Sequence, residues 1–366
     1  MRSISSLKKT LSIALRLALA FGIIFYLLHK IDMQALTLIL RESLSQWEWL
    51  IAGIVLSYLA LHAGMIRWSI ILDAQGLEMS AKRCFSVYFI GQFFNSFMFG
   101  STGGDLIRAF YAAKETHHKK TEAVATVFID RMIGLIALYL IAAIMLTVRV
   151  KFFLSQWETH LPALIMIGMI LATMVALIVV FNINRFANWP LVDRIKRHPT
   201  LGRTIKRVLI SIYLYRRRTG VLIRTSLLSL LIQALTVTQC YCIGRCFQIN
   251  IGVVDYLTVI PIIISIAAIP ITPGGLGIRE GLAVTLLGAM GVNSAQSLPL
   301  SLMIFFISVA WSLVGGVIFM GYSASSGHTV HEEMVELEHE TESEDGEEGI
   351  PSAHEQDNVI RTCQGQ

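Results

Sequence analysis

Charge is what this sequence has least of. Only 15% of its 366 residues are Asp, Glu, Lys or Arg, against about 25% in soluble globular domains. That scarcity argues against a water-soluble enzyme. Cysteine is sparse as well: Cys240, Cys242 and Cys246 fall in or at the end of an apolar run, and Cys84 and Cys363 stand alone. A disulfide framework or metal site needs paired spacings with polar neighbours. These five read as unpaired thiols packed against helices or lipid, and no metal or cofactor is expected. There is no nucleotide-binding loop, no helical His pair with metal spacing and no Gly-x-Ser-x-Gly elbow. No stretch between the apolar runs is long and apolar enough to fold a catalytic domain. Neither enzymatic activity nor a nucleic-acid partner is expected.

What is present is hydrophobicity in blocks. Apolar residues make up 54% of the chain. Ile13 to Leu28, Leu50 to Leu72 and Leu161 to Phe181 run almost without charge, about the length that crosses a ~30 Å hydrocarbon core. Only helices satisfy their backbone hydrogen bonds internally at that depth. Lys8, Lys9 and Arg16 ahead of the first run also describe a signal peptide. The run outlasts the usual 7–15 residues, however, and no small-x-small cleavage site precedes His29 and Lys30, so it reads as an uncleaved first helix.

The net charge of +5 hides an asymmetry. From Thr329 onward the tail carries twelve acidic residues against one Arg, leaving the body with 29 basic and 13 acidic residues, a net of +16. A basic body suits anionic lipid surfaces. The tail is too polar to bury a core and reads as disordered, either simply solvated or docking a protein partner. Basic loops mark the cytoplasmic side. By that rule the N-terminus with Arg2, Lys8 and Lys9 is inside, and so is 182–224, which holds eleven Lys and Arg against Asp193 alone. Arg203, Lys206, Arg207 and Arg216 to Arg218, interleaved with Val208, Leu209, Ile212 and Leu214, suggest an amphipathic helix on the inner leaflet.

Two apolar stretches are interrupted. Phe85 to Gly100 is too short to span comfortably, contains Gly91, and leads into Gly103 and Gly104. Val259 to Thr272 contains Pro261 and Pro270, breaks at Pro273, Gly274, Gly275 and Gly277, and resumes at Leu282. Gly103-Gly104-Asp105-Leu106-Ile107-Arg108 and Gly274-Gly275-Leu276-Gly277-Ile278-Arg279 share GGxxxR at an offset of 171 residues. The same offset carries the run at 51–72 onto 222–243 and that at 128–148 onto 299–319, and each half opens with a further helix, near 11–29 and 163–181. Each half then has three spans and one hairpin, and an odd number of spans inverts the second half. The expected fold is an all-α polytopic membrane protein with about six transmembrane helices plus two re-entrant hairpins in an inverted repeat. Its halves lie at about 1–150 and 160–322, followed by an acidic tail over 323–366. Interrupted segments at matching places in inverted halves point to a transporter's binding site.

The glycine pairs permit turns at membrane depth, since glycine reaches positive φ without steric cost. Each pair precedes a helix start, whose free N–H groups favour an anion. Arg108 and Arg279, one turn on, complete a candidate phosphate site by bidentate hydrogen bonding. The plainer reading makes the glycines hairpin turns and the arginines interfacial snorkels. Ionisable groups at membrane depth are costly. Asp105 and Glu280 flank the arginines as candidate partners. Asp130 and Arg131 suit either an ion pair against the first hairpin or an interfacial position. Arg67 and Arg245 read as interfacial, and His62 as a polar packing residue.

At these motifs the sequence resembles a known family. Ser101-Thr102-Gly103-Gly104-Asp105-Leu106-Ile107-Arg108, Asp130-Arg131-Met132-Ile133-Gly134 and Thr272-Pro273-Gly274-Gly275-Leu276-Gly277-Ile278-Arg279-Glu280-Gly281 look like the membrane region of bacterial lysylphosphatidylglycerol synthases. The wider family includes stand-alone flippase-like inner-membrane proteins and an archaeal relative linked to dolichol-phosphate sugar chemistry. The resemblance runs to about Tyr322. The full synthases continue into an aminoacyl-transferase domain where this chain has its acidic tail, so lysyl transfer is not implied. What the resemblance implies is movement of lipid between leaflets of a bacterial inner membrane, with both termini cytoplasmic. The lipid would be an anionic phospholipid or a polyprenyl phosphate. An accessory lipid-holding subunit of a glycosyltransferase or lipid-modifying complex is the second reading. An integral membrane enzyme using Asp105, Asp130 or Glu280 is the third.

Overall fold

The computed structural model describes residue 37 and residues 41–77, 79–97, 103–115, 120–181, 218–269 and 271–326. The expected first helix near 11–29, residues 182–217 of the basic segment, and the acidic tail lie outside them. Among the described residues all regular structure is helical. In chain order the helices are α1 (Trp47–Ala74), α2 (Ala81–Phe97), α3 (Gly103–Glu115), α4 (Lys120–Val148), α5 (Val150–Ser155), α6 (His160–Phe181), α7 (Thr219–Cys246), α8 (Val253–Ala267), α9 (Ile278–Gly288) and α10 (Ser294–Ser326). The chain divides into a unit 1–318 and a C-terminal unit 319–366. In the second, residues 319–326 are described and form helical turns.

Among the described residues, five helices are long and apolar enough to cross a bilayer: Trp47–Ala74, Glu122–Val148, Trp157–Ile178, Thr219–Cys246 and Ser294–Gly321. Their outward faces stay apolar. Leu59, Leu140, Leu171, Val175, Leu227 and Val317 are all largely exposed. In water such surface would be an aggregation hazard; against acyl chains it costs nothing. The inward faces meet in a core of large side chains around α8, among them Tyr256, Ile262, Ile243, Phe247, Leu286 and Met166. Cys84, Cys240, Cys242 and Cys246 are free and buried, as small apolar fillers.

The helix bounds repeat. α1, α2, α3 and α4 begin 172, 172, 175 and 174 residues before α7, α8, α9 and α10. The equivalent helices α1 and α7 pack on each other and run antiparallel. Trp49 meets Tyr241 edge-on at 6.3 Å near one end, while Arg67 donates to Ser229 Oγ at 2.8 Å towards the other. Other contacts repeat in kind. α4 packs on α8 through Thr258 and Met145, and just past its end Arg149 pairs with Asp255 at 2.5 Å. α10 packs on α2, with Gly315 so close that a Cβ there would lie 1.9 Å from the Phe89 carbonyl oxygen.

Each short pair, α2 with α3 and α8 with α9, forms a hairpin. At 1.5 Å per residue the four arms are about 25, 20, 22 and 16 Å long, each less than the ~30 Å hydrocarbon thickness. The two tips meet: a Cβ on Gly274 would lie 3.9 Å from the Ser96 carbonyl oxygen.

The two glycine pairs solve different problems. Gly274, Gly275 and Gly277 have φ of +59°, +71° and +84°, the left-handed backbone expected of a turn. The helix resumes at Ile278, four residues earlier than the hydropathy suggested. Gly103 and Gly104 instead open α3 in helical conformation. The expectation of a positive-φ turn there is corrected; Gly104 is needed for close approach. A Cβ on it would lie 1.9 Å from Gly91 O, and its N–H donates to Asn95 Oδ1 at 3.0 Å. Gly104→Ala should therefore force the hairpin apart and cost about 1–3 kcal/mol. Gly168→Ala, where a Cβ meets nothing within 4 Å, should hold or raise stability by about 0.5–1 kcal/mol. Thermal unfolding of both variants in detergent checks the contrast, and equal shifts would refute it.

Candidate functional site: a buried arginine–aspartate–arginine cluster

The first half places three charges together inside the protein. Asp130, on α4, is 3% exposed. Its Oδ1 accepts from Arg67 Nε at 2.7 Å, and its Oδ2 accepts from Arg108 Nη2 at 3.0 Å. Arg67 on α1 also donates through Nη1 to Ser229 of α7. The cluster thus ties the hairpin, two helices of its own half and one of the other. Sequence reasoning put Arg67 at the interface. It is instead 8% exposed, because a carboxylate and a hydroxyl satisfy its donors.

Aromatic side chains close the cluster. The Arg108 guanidinium carbon lies 4.0 Å from the Trp68 ring centroid and 4.7 Å from that of Tyr88, within cation–π range. Trp68 is itself fixed by donating from Nε1 to Thr126 Oγ1 at 3.2 Å. Arg108 Nε is buried without a hydrogen-bond partner. Arginine does not deprotonate in proteins, so one aspartate against two arginines leaves a net charge of +1.

The residues around Asp130 each have a task. Arg131 pairs with Asp105, giving a second, more exposed tie between α4 and α3; Asp105 was expected to partner Arg108 and does not. Gly134 leaves room for the Arg67 guanidinium, whose Nη1 would lie 3.1 Å from a Cβ at that position. At the start of α3 one N–H, that of Gly104, is taken by Asn95.

The second half is arranged differently. Glu280 is fully buried. Its Oε2 accepts from Gly277 N–H at 2.6 Å, capping the start of α9. Its Oε1 accepts from Arg279 Nη2 at 2.6 Å, from Arg279 Nε at 3.1 Å and from Ser301 Oγ at 3.3 Å. The Arg279 guanidinium lies 4.9 Å from the Phe305 ring centroid. The carboxylate of this chain therefore sits where an external anion was expected, and the pair is neutral. At the 171-residue offset Ser301 is the counterpart of Asp130. The same span faces the arginine in each half, with a carboxylate in one and a hydroxyl in the other.

Elsewhere, His62 stacks on Tyr58 at 5.8 Å, and Tyr58 lies 5.0 Å from Trp311, a packing role. Arg245 donates to Asn250 at 2.7 Å at the end of α7. No group of His, Cys, Asp and Glu among the described residues has metal-binding geometry. Sequence reasoning missed Arg67, Trp68, Tyr88 and Ser229. The signal for Arg67 was there: a lone charge inside a long apolar run is costly unless it is paired.

Helical spans enclosing a charged cluster define a multi-pass α-helical membrane protein. Residues 13–316 match the model of the lysylphosphatidylglycerol synthase TM region, and the chain belongs to that family. It is 25% identical over 299 residues to a UPF0104 membrane protein of Methanothermobacter thermautotrophicus, covering 76% of this chain and 86% of that one. It is 24% identical over 302 residues to a UPF0104 membrane protein of Pyrococcus horikoshii, covering 75% and 87%.

Asp130→Ala strands two buried arginines and should cost about 3–5 kcal/mol. Asp105→Ala, at the more exposed pair, should cost about 1 kcal/mol or less. Unfolding midpoints in detergent measure both; a mild effect at Asp130 would mean that its bonds do not hold the hairpin.

Proposed function

We propose that this protein moves an anionic phospholipid or a polyprenyl-phosphate lipid between leaflets of a bacterial inner membrane, without catalysing a covalent reaction. One observation carries the reading: the buried cluster of Arg67, Asp130 and Arg108 retains a positive charge. A net charge in a low-dielectric interior is expensive, and an anionic headgroup entering beside Arg108 neutralises it. Antiparallel equivalents and paired interrupted hairpins further support a transporter, since substrate sites in inverted repeats lie at such interruptions. In this reading the hairpins are re-entrant from opposite faces, and both termini are cytoplasmic. Arg108 and Arg279 are the phosphate ligands, and Gly103, Gly104, Gly274 and Gly275 shape the hairpins around them. Glu280 must release Arg279 before the second arginine can engage a headgroup. The sequence offers no loop for a nucleoside triphosphate, so movement follows a lipid or ion gradient.

Fluorescent anionic phospholipids in proteoliposomes report transbilayer movement directly. Wild type should accelerate it, and Arg108→Ala should reduce the protein-dependent rate at least about tenfold. Arg279→Ala should also slow it. No acceleration with any anionic or polyprenyl lipid would overturn translocation and leave an accessory, lipid-holding role.

Topology is testable separately with single cysteines in a cysteine-free background. Ser80 and Thr116 flank the first hairpin, and Asn250 and Asn293 the second. The first two should label from the cytoplasmic side and the last two from outside; a split within either pair would mean that the hairpin spans.

A further inference from the structure

We propose that the cluster of Arg67, Asp130 and Arg108 selects headgroups carrying one negative charge, that is, phosphodiester lipids over phosphomonoesters. This rests on the lipid-site reading above and narrows it. Among the described residues the buried charged side chains are Arg67, Arg108, Asp130 and Glu280. Glu280 is matched by Arg279, and the neighbouring Asp105 by Arg131. The two cations around Asp130 therefore leave one positive charge without a protein counterpart. Each group has lost most of its hydration: the side chains of Arg67, Arg108 and Asp130 are 9%, 8% and 5% exposed. Water cannot absorb a mismatch there.

A phosphodiester brings a single charge at any pH above its low pKa and takes the cluster to neutrality. A phosphomonoester, with a second pKa of about 6, brings about −1.5 to −2 at pH 7 and overshoots. Arg108 supplies the contact, since its Nε has no partner while Nη2 stays on Asp130. The occupant is a lipid rather than a free ion because the cluster is built from side chains of the spans α1 and α4 and of the hairpin helix α3. Arg67 and Asp130 set the charge without touching the headgroup and are positioning residues.

The test uses full-length protein in phosphatidylcholine nanodiscs at pH 8. Two guest lipids with identical acyl chains are compared: phosphatidylmethanol, a diester of charge −1, and phosphatidic acid, a monoester that is mainly dianionic. Wild type should bind the diester at least about tenfold more tightly. Asp130→Asn keeps a hydrogen-bonding side chain, raises the cluster to +2 and should reverse the preference. Arg67→Gln lowers it to zero and should weaken both lipids. Equal affinity in wild type overturns the proposal whatever the variants do, and so does an unchanged preference in folded Asp130→Asn. Binding of neither lipid would instead overturn the lipid site itself.

Discussion

Everything in the first half depends on keeping a carboxylate ionised between two arginines away from water. Removing Asp130 strands two arginines in a medium that cannot solvate them, so the geometry around Asp130 is fixed by electrostatic necessity. That need reaches into the backbone. Gly134 lacks a side chain because the Arg67 guanidinium passes there, and Gly104 lacks one because α3 lies against the backbone of α2 at Gly91. Ser229, from the other half, takes a spare Arg67 donor. The antiparallel contact of α1 with α7 is thereby pinned by a polar bond within an otherwise apolar interface.

The fold was largely legible because membrane solvent makes hydropathy a direct readout of structure. Five spans lie where apolar runs do, and the 171-residue offset foreshadowed the matching helix bounds. Less legible was which physics each glycine pair answers. Gly274 and Gly275 turn the chain, whereas Gly104 admits a carbonyl oxygen; both appear in sequence as a double glycine. Hydropathy also could not show that Arg67 is paired, because its partner lies 63 residues away. Arg67 was assigned to the interface since a charge without a visible local partner normally snorkels there. Asp130, Arg131 and Gly134 were recognisable as a motif, but their three separate tasks depend on α1 and α3 packing against α4.

Duplicated halves that share a fold need not share a charge distribution. Arg108 and Arg279 occupy equivalent places, yet the carboxylate facing each comes from a different element: the following span for Arg108, and the adjacent residue of the same helix for Arg279. Ser301 stands where Asp130 stands and contributes only a hydroxyl to Glu280. The exchange moves the acid onto the start of α9. There the same carboxylate accepts from the N–H of Gly277, the last of three positive-φ glycines, and neutralises the arginine. The second hairpin needs that cap because its turn leaves N–H groups at the helix start unsatisfied; the first has Asn95 for the purpose. In the second half the carboxylate faces one arginine and the pair is neutral; in the first it faces two and the cluster is not. The electrostatic difference between the halves thus follows from how many arginines each carboxylate faces. If the halves open to opposite leaflets, as proposed above, that difference makes the two faces unequal towards an anion without any change in the scaffold.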